Sequence, residues 1–131
     1  MCRRHLAYAE SQINMNKRTP YHAHVYFTEE SKATAQNVVM QASELFGVDY
    51  GHFHDKPVGP HPVGSCQITV PVNLLGPMLD WLALNRQGLT VFIHAETGDV
   101  MKDHTEHTIW MGSMPGLNIE MLESLLAQRD S

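Results

Sequence analysis

The sequence predicts one α+β domain in which strands and helices alternate along the chain. The 131 residues are 43% hydrophobic and 18% charged, an ordinary globular composition with enough apolar residues for a single core. Two kinds of segment alternate along the chain. In one kind, apolar residues occupy every second position, as is typical of strands; in the other, they recur every three or four positions, as is typical of helices. This alternation defines the class of fold.

The first strand is predicted over residues 21–28, where the side chains alternate in character. Successive positions of a strand face opposite sides of a sheet. One face therefore carries apolar residues and the other carries polar and aromatic ones: Ala23, Val25 and Phe27 against His22, His24 and Tyr26. The strand turns an apolar face towards a core and a histidine-bearing face away from it.

A helix follows, with Thr28 as its predicted N-terminal cap and Gly47 as its predicted end. Its apolar residues recur at helical spacing: Ala35, Val38, Val39, Ala42, Leu45 and Phe46. A short strand is then predicted over residues 50–54. Residues 55–62 contain three prolines, which exclude regular structure and stiffen a loop.

The second half of the chain repeats the pattern. The predicted elements are, in order, a strand over residues 65–70, a helix over 73–86, a strand over 89–94, a turn over 96–99, a strand over 106–111 and a helix from Asn118. In the first of these strands Cys66, Ile68 and Val70 face the core. Gly88 separates the helix from the strand that follows it.

This order predicts a ferredoxin-like βαββαβ sandwich with an appended strand and a C-terminal helix. Two helices cover one sheet face, and the first and last core strands are antiparallel neighbours. The start of the first strand then lies beside the end of the fourth, so His22 or His24 lies next to His94 on the uncovered face. Residues 1–19 are predicted to be an N-terminal tail, and residues 20–131 a single domain.

Charge and composition exclude several classes of function. The net charge of −5 gives no electrostatic support for binding nucleic acid. No apolar run approaches the roughly 20 residues that span a membrane. The two cysteines, Cys2 and Cys66, do not form a disulfide framework, which favours a reducing, cytoplasmic location.

Histidine is the unusual component, with nine residues against nine Lys and Arg together. His22 and His24 lie on one strand face, about 7 Å apart at their Cα atoms. With His94 beside them across the sheet, the three imidazoles converge as metal ligands do. A single histidine here is better explained as a polar residue on a solvated face, but three together favour a metal site.

A second cluster, residues 103–107, contains Asp103, His104, Glu106 and His107. In an extended segment, either Glu106 or His107 could complete a metal site with His24 and His94. Two histidines and a carboxylate on one side of a metal suit iron(II), because the opposite positions stay open for substrate and oxygen. The alternative interpretation is a charge-dense surface turn.

Other residues are candidates for catalysis and substrate binding. His61, in the proline-bounded loop, and His54, on the short strand, are predicted acid–base groups. Arg86 could bind a substrate carboxylate, although a cation at a helix C-terminus also stabilises the helix itself. Tyr26 and Phe92 could offer aromatic surface to a planar ligand.

Five segments, in order, resemble the DOPA 4,5-dioxygenase family: residues 21–27, His54 with residues 57–62, residues 81–86 with Gly88 and Leu89, His94 with residues 97–99, and residues 103–112. The family's histidine-rich motifs fall on His22, His24, His54, His61, His94, His104 and His107. One departure is Ala95-Glu96, where family members often carry Pro-Asn. It lies at the rim of the expected site.

The resemblance implies a ferredoxin-like fold, a homodimer, and an iron(II) cofactor. The implied activity is extradiol cleavage of a catechol such as L-DOPA with O2, giving a seco-DOPA. The candidate metal ligands indicated by the residue pattern are His22, His24, His94, Glu106 and His107. The alternative hypothesis, from a different class, is a non-catalytic dimer that binds a metal or a small ligand on the same scaffold.

Overall fold

The computed structural model describes residues 18–130. Its elements are, in chain order, β1 (Tyr21–Phe27), α1 (Lys32–Phe46), β2 (Gly64–Val70), a 3-10 helix (Val72–Leu74), α2 (Leu75–Asn85), β3 (Val91–His94), α3 (Val100–Asp103), β4 (Thr108–Met111) and α4 (Ile119–Asp130). Most of the predicted N-terminal tail, with Cys2, lies outside the described residues. Arg18 and Thr19 are described, and both are exposed.

The four strands form one antiparallel sheet in the order β2-β1-β3-β4. The first strand lies in the middle, β3 is its antiparallel neighbour, and β4 is added at the edge. This is the predicted ferredoxin-like α+β arrangement with an appended strand, and the fold class is confirmed. The register pairs His22 with His94, so the expected meeting of the two strand ends is present.

The predicted strand at residues 50–54 is the clearest difference from expectation. It forms only two isolated bridges, Tyr50 with Ile68 and His54 with Ser65. From Tyr50 to His54 is four positions, whereas from Ile68 to Ser65 is three, so one extra residue lies opposite β2. This excess acts like a β-bulge, which interrupts the ladder of hydrogen bonds. The segment follows the free edge of β2 without becoming a regular strand.

The start of α1 also differs from the prediction. The capping position is Ser31, and Thr28 lies three residues before it. The Ser31 hydroxyl accepts a hydrogen bond from the backbone N–H of Thr28 at 2.9 Å, which ends the strand with a tight turn before the helix begins. The predicted end is confirmed, since Gly47 adopts a φ of 65° and donates its N–H to the Ser43 carbonyl. Glycine adopts this left-handed conformation without steric cost.

The hydrophobic core lies between the sheet and the helices α1 and α2. Its members include Ala23, Val25, Val38, Val39, Ala42, Ile68, Met78, Leu82, Val91 and Ile93, all fully buried. Burying each large aliphatic side chain contributes roughly 1.5–3 kcal/mol, so this layer is the main source of stability. Leu45, expected in the stripe of α1, is 62% exposed and lies outside the core.

The opposite sheet face, expected to be uncovered, is partly closed by two loops. The N–H of Asn118 donates to the carbonyl of Pro60 at 2.8 Å, which ties the segment before α4 to the proline-rich loop. The hydroxyls of Thr90 and Ser113 lie 2.7 Å apart, which holds the start of the same segment to the sheet. Within residues 18–130, no helix has the length and apolar character needed to cross a membrane.

Candidate metal centre

Three histidines meet on the sheet face away from the helices. His22 and His24 project from β1, and His94 ends the neighbouring strand β3. The Nε2 atoms of His24 and His94 are 3.0 Å apart. One ring nitrogen from each of the three residues lies within 4.8 Å of those from the other two. Among the described residues, no other group of three or more His, Cys, Asp or Glu side chains is arranged to hold a metal ion. The convergence predicted from topology is therefore present.

Burial keeps these imidazoles uncharged. His24 and His94 are buried, and the side chain of His22 is 23% exposed. Burial lowers the pKa of His94 to about 4 and holds the pKa of His24 well below its usual value. It also lowers the pKa of His22, although the nearby Glu96 carboxylate opposes that shift. Neutral imidazoles are the form that binds metal ions.

The hydrogen bonds of His94 orient its ring as metal-ligating histidines are usually oriented. Its Nδ1 donates to the carbonyl of Ala95 at 2.9 Å, so the proton lies on Nδ1 and the lone pair on Nε2. Two nitrogen ligands about 2.1 Å from one ion, at right angles, lie about 3.0 Å apart. The Nε2 atoms of His24 and His94 have this separation. The donor set thus fits a divalent transition-metal ion.

Glu96 is a residue that the sequence analysis placed only at the rim. One of its carboxylate oxygens, Oε1, lies 3.3 Å from Nδ1 of His22 and 3.4 Å from Nδ1 of His94. The sequence could have indicated this contact. In an extended segment, a residue two positions after His94 faces the same side of the sheet as His94.

His104 also lies against the group. Its ring lies against that of His94, tilted by 36° with the centroids 4.3 Å apart, and its Nδ1 donates to the Val100 carbonyl at 2.7 Å. The expected extended conformation of residues 103–107 is wrong, because residues 100–103 are helical and a turn follows. The turn rotates His104 towards the site.

The two remaining predicted ligands do not join the histidine group. Glu106 lies in the turn after α3 and is exposed. Nδ1 of His107 lies 2.8 Å from a carboxylate oxygen of Asp103, which is itself buried. The same Asp103 accepts hydrogen bonds from the N–H and the hydroxyl of Thr97, both at 2.8 Å. The structure gives His107 a partner in Asp103 and leaves Glu106 in solvent.

A cavity of about 240 Å³ opens beside His24. Its wall includes His54, Val58, His61, Ser65 and Gln67. Ser65 and Gln67 were not among the predicted site residues. They alternate with the buried Cys66 and Ile68, so the same two-residue period that assigned the core side of β2 indicated the side chains facing the site.

His61 closes the cavity over the metal group. Its ring lies 4.1 Å from that of His24, and its Nδ1 lies 2.8 Å from the hydroxyl of Tyr26. Burial, together with nearby histidines, lowers the pKa of His61 to about 4. Burial also raises the pKa of the Tyr26 phenol. Both groups are neutral near pH 7, and His54 is an exposed member of the same wall.

The side chains predicted to bind substrate contact other parts of the protein in the structure. Phe92 is fully buried, its ring centroid lies 4.4 Å from that of Trp110, and it packs against the rings of His24 and His94 as a floor beneath them. The hydroxyl of Tyr26 is engaged by His61. Arg86 donates from Nε to the Leu89 carbonyl and from Nη1 to the Ala83 carbonyl, each at 3.1 Å. Arg86 therefore binds carbonyls at the C-terminus of α2, as the alternative interpretation expected. It lies near the start of β3, whereas His94 is at the other end of that strand.

The fold and site together define a small ferredoxin-like protein with a histidine-built candidate metal centre on the sheet face opposite its helices. The chain matches the Dopa 4,5-dioxygenase family over residues 21–121. That match covers most of the sequence, and the protein belongs to this family.

Two curated fungal relatives and one solved structure are similar to the chain. A DOPA 4,5-dioxygenase of Amanita muscaria is 29% identical over 111 residues, which are 78% of this chain and 49% of that protein. An uncharacterized 21.2 kDa protein of Botryotinia fuckeliana is 31% identical over 85 residues, 59% of this chain and 46% of that protein. The chain therefore spans about half the length of these curated relatives.

The solved structure is that of a Nostoc punctiforme protein assigned as a dioxygenase. It is 40% identical to this chain with a TM-score of 0.79, and the match covers 83% of this chain and 95% of that one.

Proposed function

We propose that this protein is a non-haem iron(II)-dependent extradiol dioxygenase that opens the ring of a catechol such as L-DOPA, by 4,5-cleavage to seco-DOPA. The observation that carries the proposal is the group of His22, His24 and His94, whose ligating nitrogens lie within 4.8 Å of one another. The family membership supports the class of reaction. Both oxygen atoms of O2 enter the ring-opened product, so the reaction needs no external reductant.

His22, His24 and His94 would hold the iron. When bound, iron(II) supplies a Lewis acid and a template on which a catechol and O2 can be brought together. The fully buried ring of Phe92, which packs on Trp110, lies against the rings of His24 and His94. A rigid, water-poor floor strengthens electrostatic interactions at the site.

His61 is the proposed acid–base residue. It lines the cavity beside His24 and is neutral near pH 7, since burial lowers its pKa to about 4. The Tyr26 hydroxyl can donate to Nδ1 of His61 or accept from it. His61 can therefore hold a proton at Nε2 or leave Nε2 free, as a group that takes a catechol proton and returns it must do.

The cavity next to His24 is the proposed catechol site. Its volume of about 240 Å³ suits a single aromatic ring with a short substituent. His54, Ser65 and Gln67 offer hydrogen-bonding groups along its wall. These polar groups would orient the ring towards the histidines.

The test is anaerobic loading with iron(II), followed by addition of a catechol and O2. We expect consumption of one O2 per catechol in an oxygen electrode and a yellow ring-opened product. His24→Ala and His94→Ala should abolish both iron retention and oxygen uptake while leaving the far-UV circular dichroism unchanged.

His52→Ala is the matched control. This histidine is exposed and is not part of the cavity wall, so its loss should leave turnover unchanged. Iron binding without oxygen uptake on any catechol would contradict the dioxygenase and favour the non-catalytic metal-binding protein.

A homodimer is part of the same proposal. Met121 and Leu125 of α4 are 44% and 42% exposed, which leaves apolar surface for a second copy. Sedimentation equilibrium should give twice the mass of one chain, and a Leu125→Glu variant should shift the protein towards a single chain.

A further inference from the structure

The carboxylate of Glu96 makes two contacts that the proposed reaction does not use. Its Oε1 atom lies 3.3 Å from Nδ1 of His22 and 3.4 Å from Nδ1 of His94. His94 presents Nε2 towards His24, so Glu96 touches the opposite edge of that ring. One oxygen thus faces two rings of the metal group without joining its nitrogen cluster.

The backbone on both sides of Glu96 is anchored. The N–H of Ala95 donates to the carbonyl of His107 at 3.1 Å. The N–H and hydroxyl of Thr97 both donate to the buried carboxylate of Asp103, at 2.8 Å each. The hydroxyl of Thr19 also donates to the carbonyl of Glu96 itself. A loop held at three successive residues keeps the Glu96 side chain near the histidines.

We infer that Glu96 is a positioning residue for the metal centre: it lies outside the ligand set and raises the affinity of His22, His24 and His94 for a divalent cation. The inference deepens the proposed function and rests on its metal site.

The physical reason is charge and proton placement. Binding a divalent cation to three neutral imidazoles introduces two positive charges into a largely buried site. A carboxylate beside the Nδ1 edges offsets part of that charge, and it favours the protons on Nδ1 so that Nε2 lone pairs remain for the ion. The remaining histidine, His24, receives no such contact from Glu96.

The experiment measures Co2+ binding by visible absorption, which reports both affinity and ligand geometry and needs no turnover. Glu96→Gln keeps the shape of the side chain and removes its charge, and the residue is 39% exposed, so the fold should tolerate it. We expect the dissociation constant to rise about 10- to 100-fold, with the positions and intensities of the Co2+ bands unchanged.

Two further variants sharpen the test. Glu96→Asp keeps the charge and should lose less affinity than Glu96→Gln. Glu44→Gln makes the same chemical change on α1, on the helix side of the sheet, and should bind Co2+ as the wild type does. Thermal unfolding of each variant checks that the fold is kept.

Three outcomes would overturn the inference. Equal Co2+ affinity of Glu96→Gln and wild type would show that the contact is without effect. A changed Co2+ spectrum would make Glu96 a ligand rather than a positioning residue. A wild type that binds no Co2+ would remove both the inference and the metal site. If the affinity falls as expected but no catechol is oxidised, the inference stands and the proposed dioxygenase activity fails.

Discussion

At strand β3 the two faces of the sheet are equally buried but chemically opposite. On β3, Val91 and Ile93 point into the apolar layer under the helices, while Phe92 and His94 point to the other side. None of these four side chains is more than 2% exposed. The helix side is covered by α1 and α2, and the histidine side by the proline-rich loop and the segment before α4.

The comparison shows that burial serves different ends on the two faces. On the helix side, removing apolar surface from water stabilises the fold. On the histidine side, the same exclusion of water disfavours charged imidazoles and lowers their pKa values. The first face is expected to determine stability, and the second to determine metal binding and sensitivity to acid.

Acid should produce the largest effect, and it acts through the histidine face. The pKa values of His61 and His94 are about 4 in the folded chain, against about 6.5 in an unfolded one. Between these values the unfolded chain binds more protons, so stability is lost as the pH falls. We expect the metal-free protein to lose about 2 kcal/mol per histidine between pH 7 and pH 5, measured by urea unfolding.

A variant on the same face gives the control for this titration. His94→Gln keeps a side chain of similar size but cannot be protonated, so its stability should depend less steeply on pH than that of the wild type. Stability that stays constant from pH 7 to pH 5 would mean that burial does not hold these imidazoles neutral.

Neighbouring residues of β3 allow a direct comparison of the two faces. Ile93→Ala should lower the free energy of unfolding by about 3 kcal/mol, because it opens a cavity in the core, while the folded protein still binds Co2+. His94→Ala should show the opposite pattern: Co2+ affinity should fall at least about 100-fold, while the free energy of unfolding changes less than in Ile93→Ala. Unfolding by urea and titration with Co2+ measure the two quantities. Loss of Co2+ affinity in folded Ile93→Ala would break the separation.

Asp103 tests whether the loop beside the site is held by its buried carboxylate. Asp103→Asn replaces an acceptor of hydrogen bonds from Thr97 and His107 and should cost about 2 kcal/mol of unfolding free energy. Because Thr97 adjoins Glu96, Co2+ affinity should fall as well. The exposed Asp80→Asn on α2 is the matched control. An unchanged unfolding free energy would assign the contacts no role in stability.

Glu106 should show the smallest effect. It was a predicted ligand, yet it is exposed in the turn after α3. Glu106→Gln should therefore change stability by less than about 0.5 kcal/mol and leave Co2+ affinity at the wild-type value. A loss of about tenfold or more would return Glu106 to the candidate ligands.

Much of the fold could be predicted because its signals are periodic. The alternation along β1 assigned each side chain to a face, and the helical spacing in α1 identified the buried Ala35, Val38 and Val39. The order of elements then implied that His22 or His24 lies beside His94, and the register pairs His22 with His94. These predictions depend on repeated patterns, in which one misleading residue has little effect.

Loop conformation could not be predicted in the same way. Residues 103–107 were expected to be extended, but α3 and the turn after it direct His104 inward and leave Glu106 in solvent. That turn is held by hydrogen bonds such as the one from Thr97 to Asp103. Similarly, an extra residue opposite β2 prevents residues 50–54 from forming a regular strand.

The sequence by itself determined the α+β class, the face of β1 that carries histidines and the strand ends that meet. Those features follow from side-chain periodicity and from the few ways in which such elements connect. Only the tertiary structure decided that Glu96 contacts the histidines and that Asp103 engages His107. Such contacts depend on the exact path of loops, which is determined by hydrogen bonds between residues whose positions are not linked by any repeating pattern.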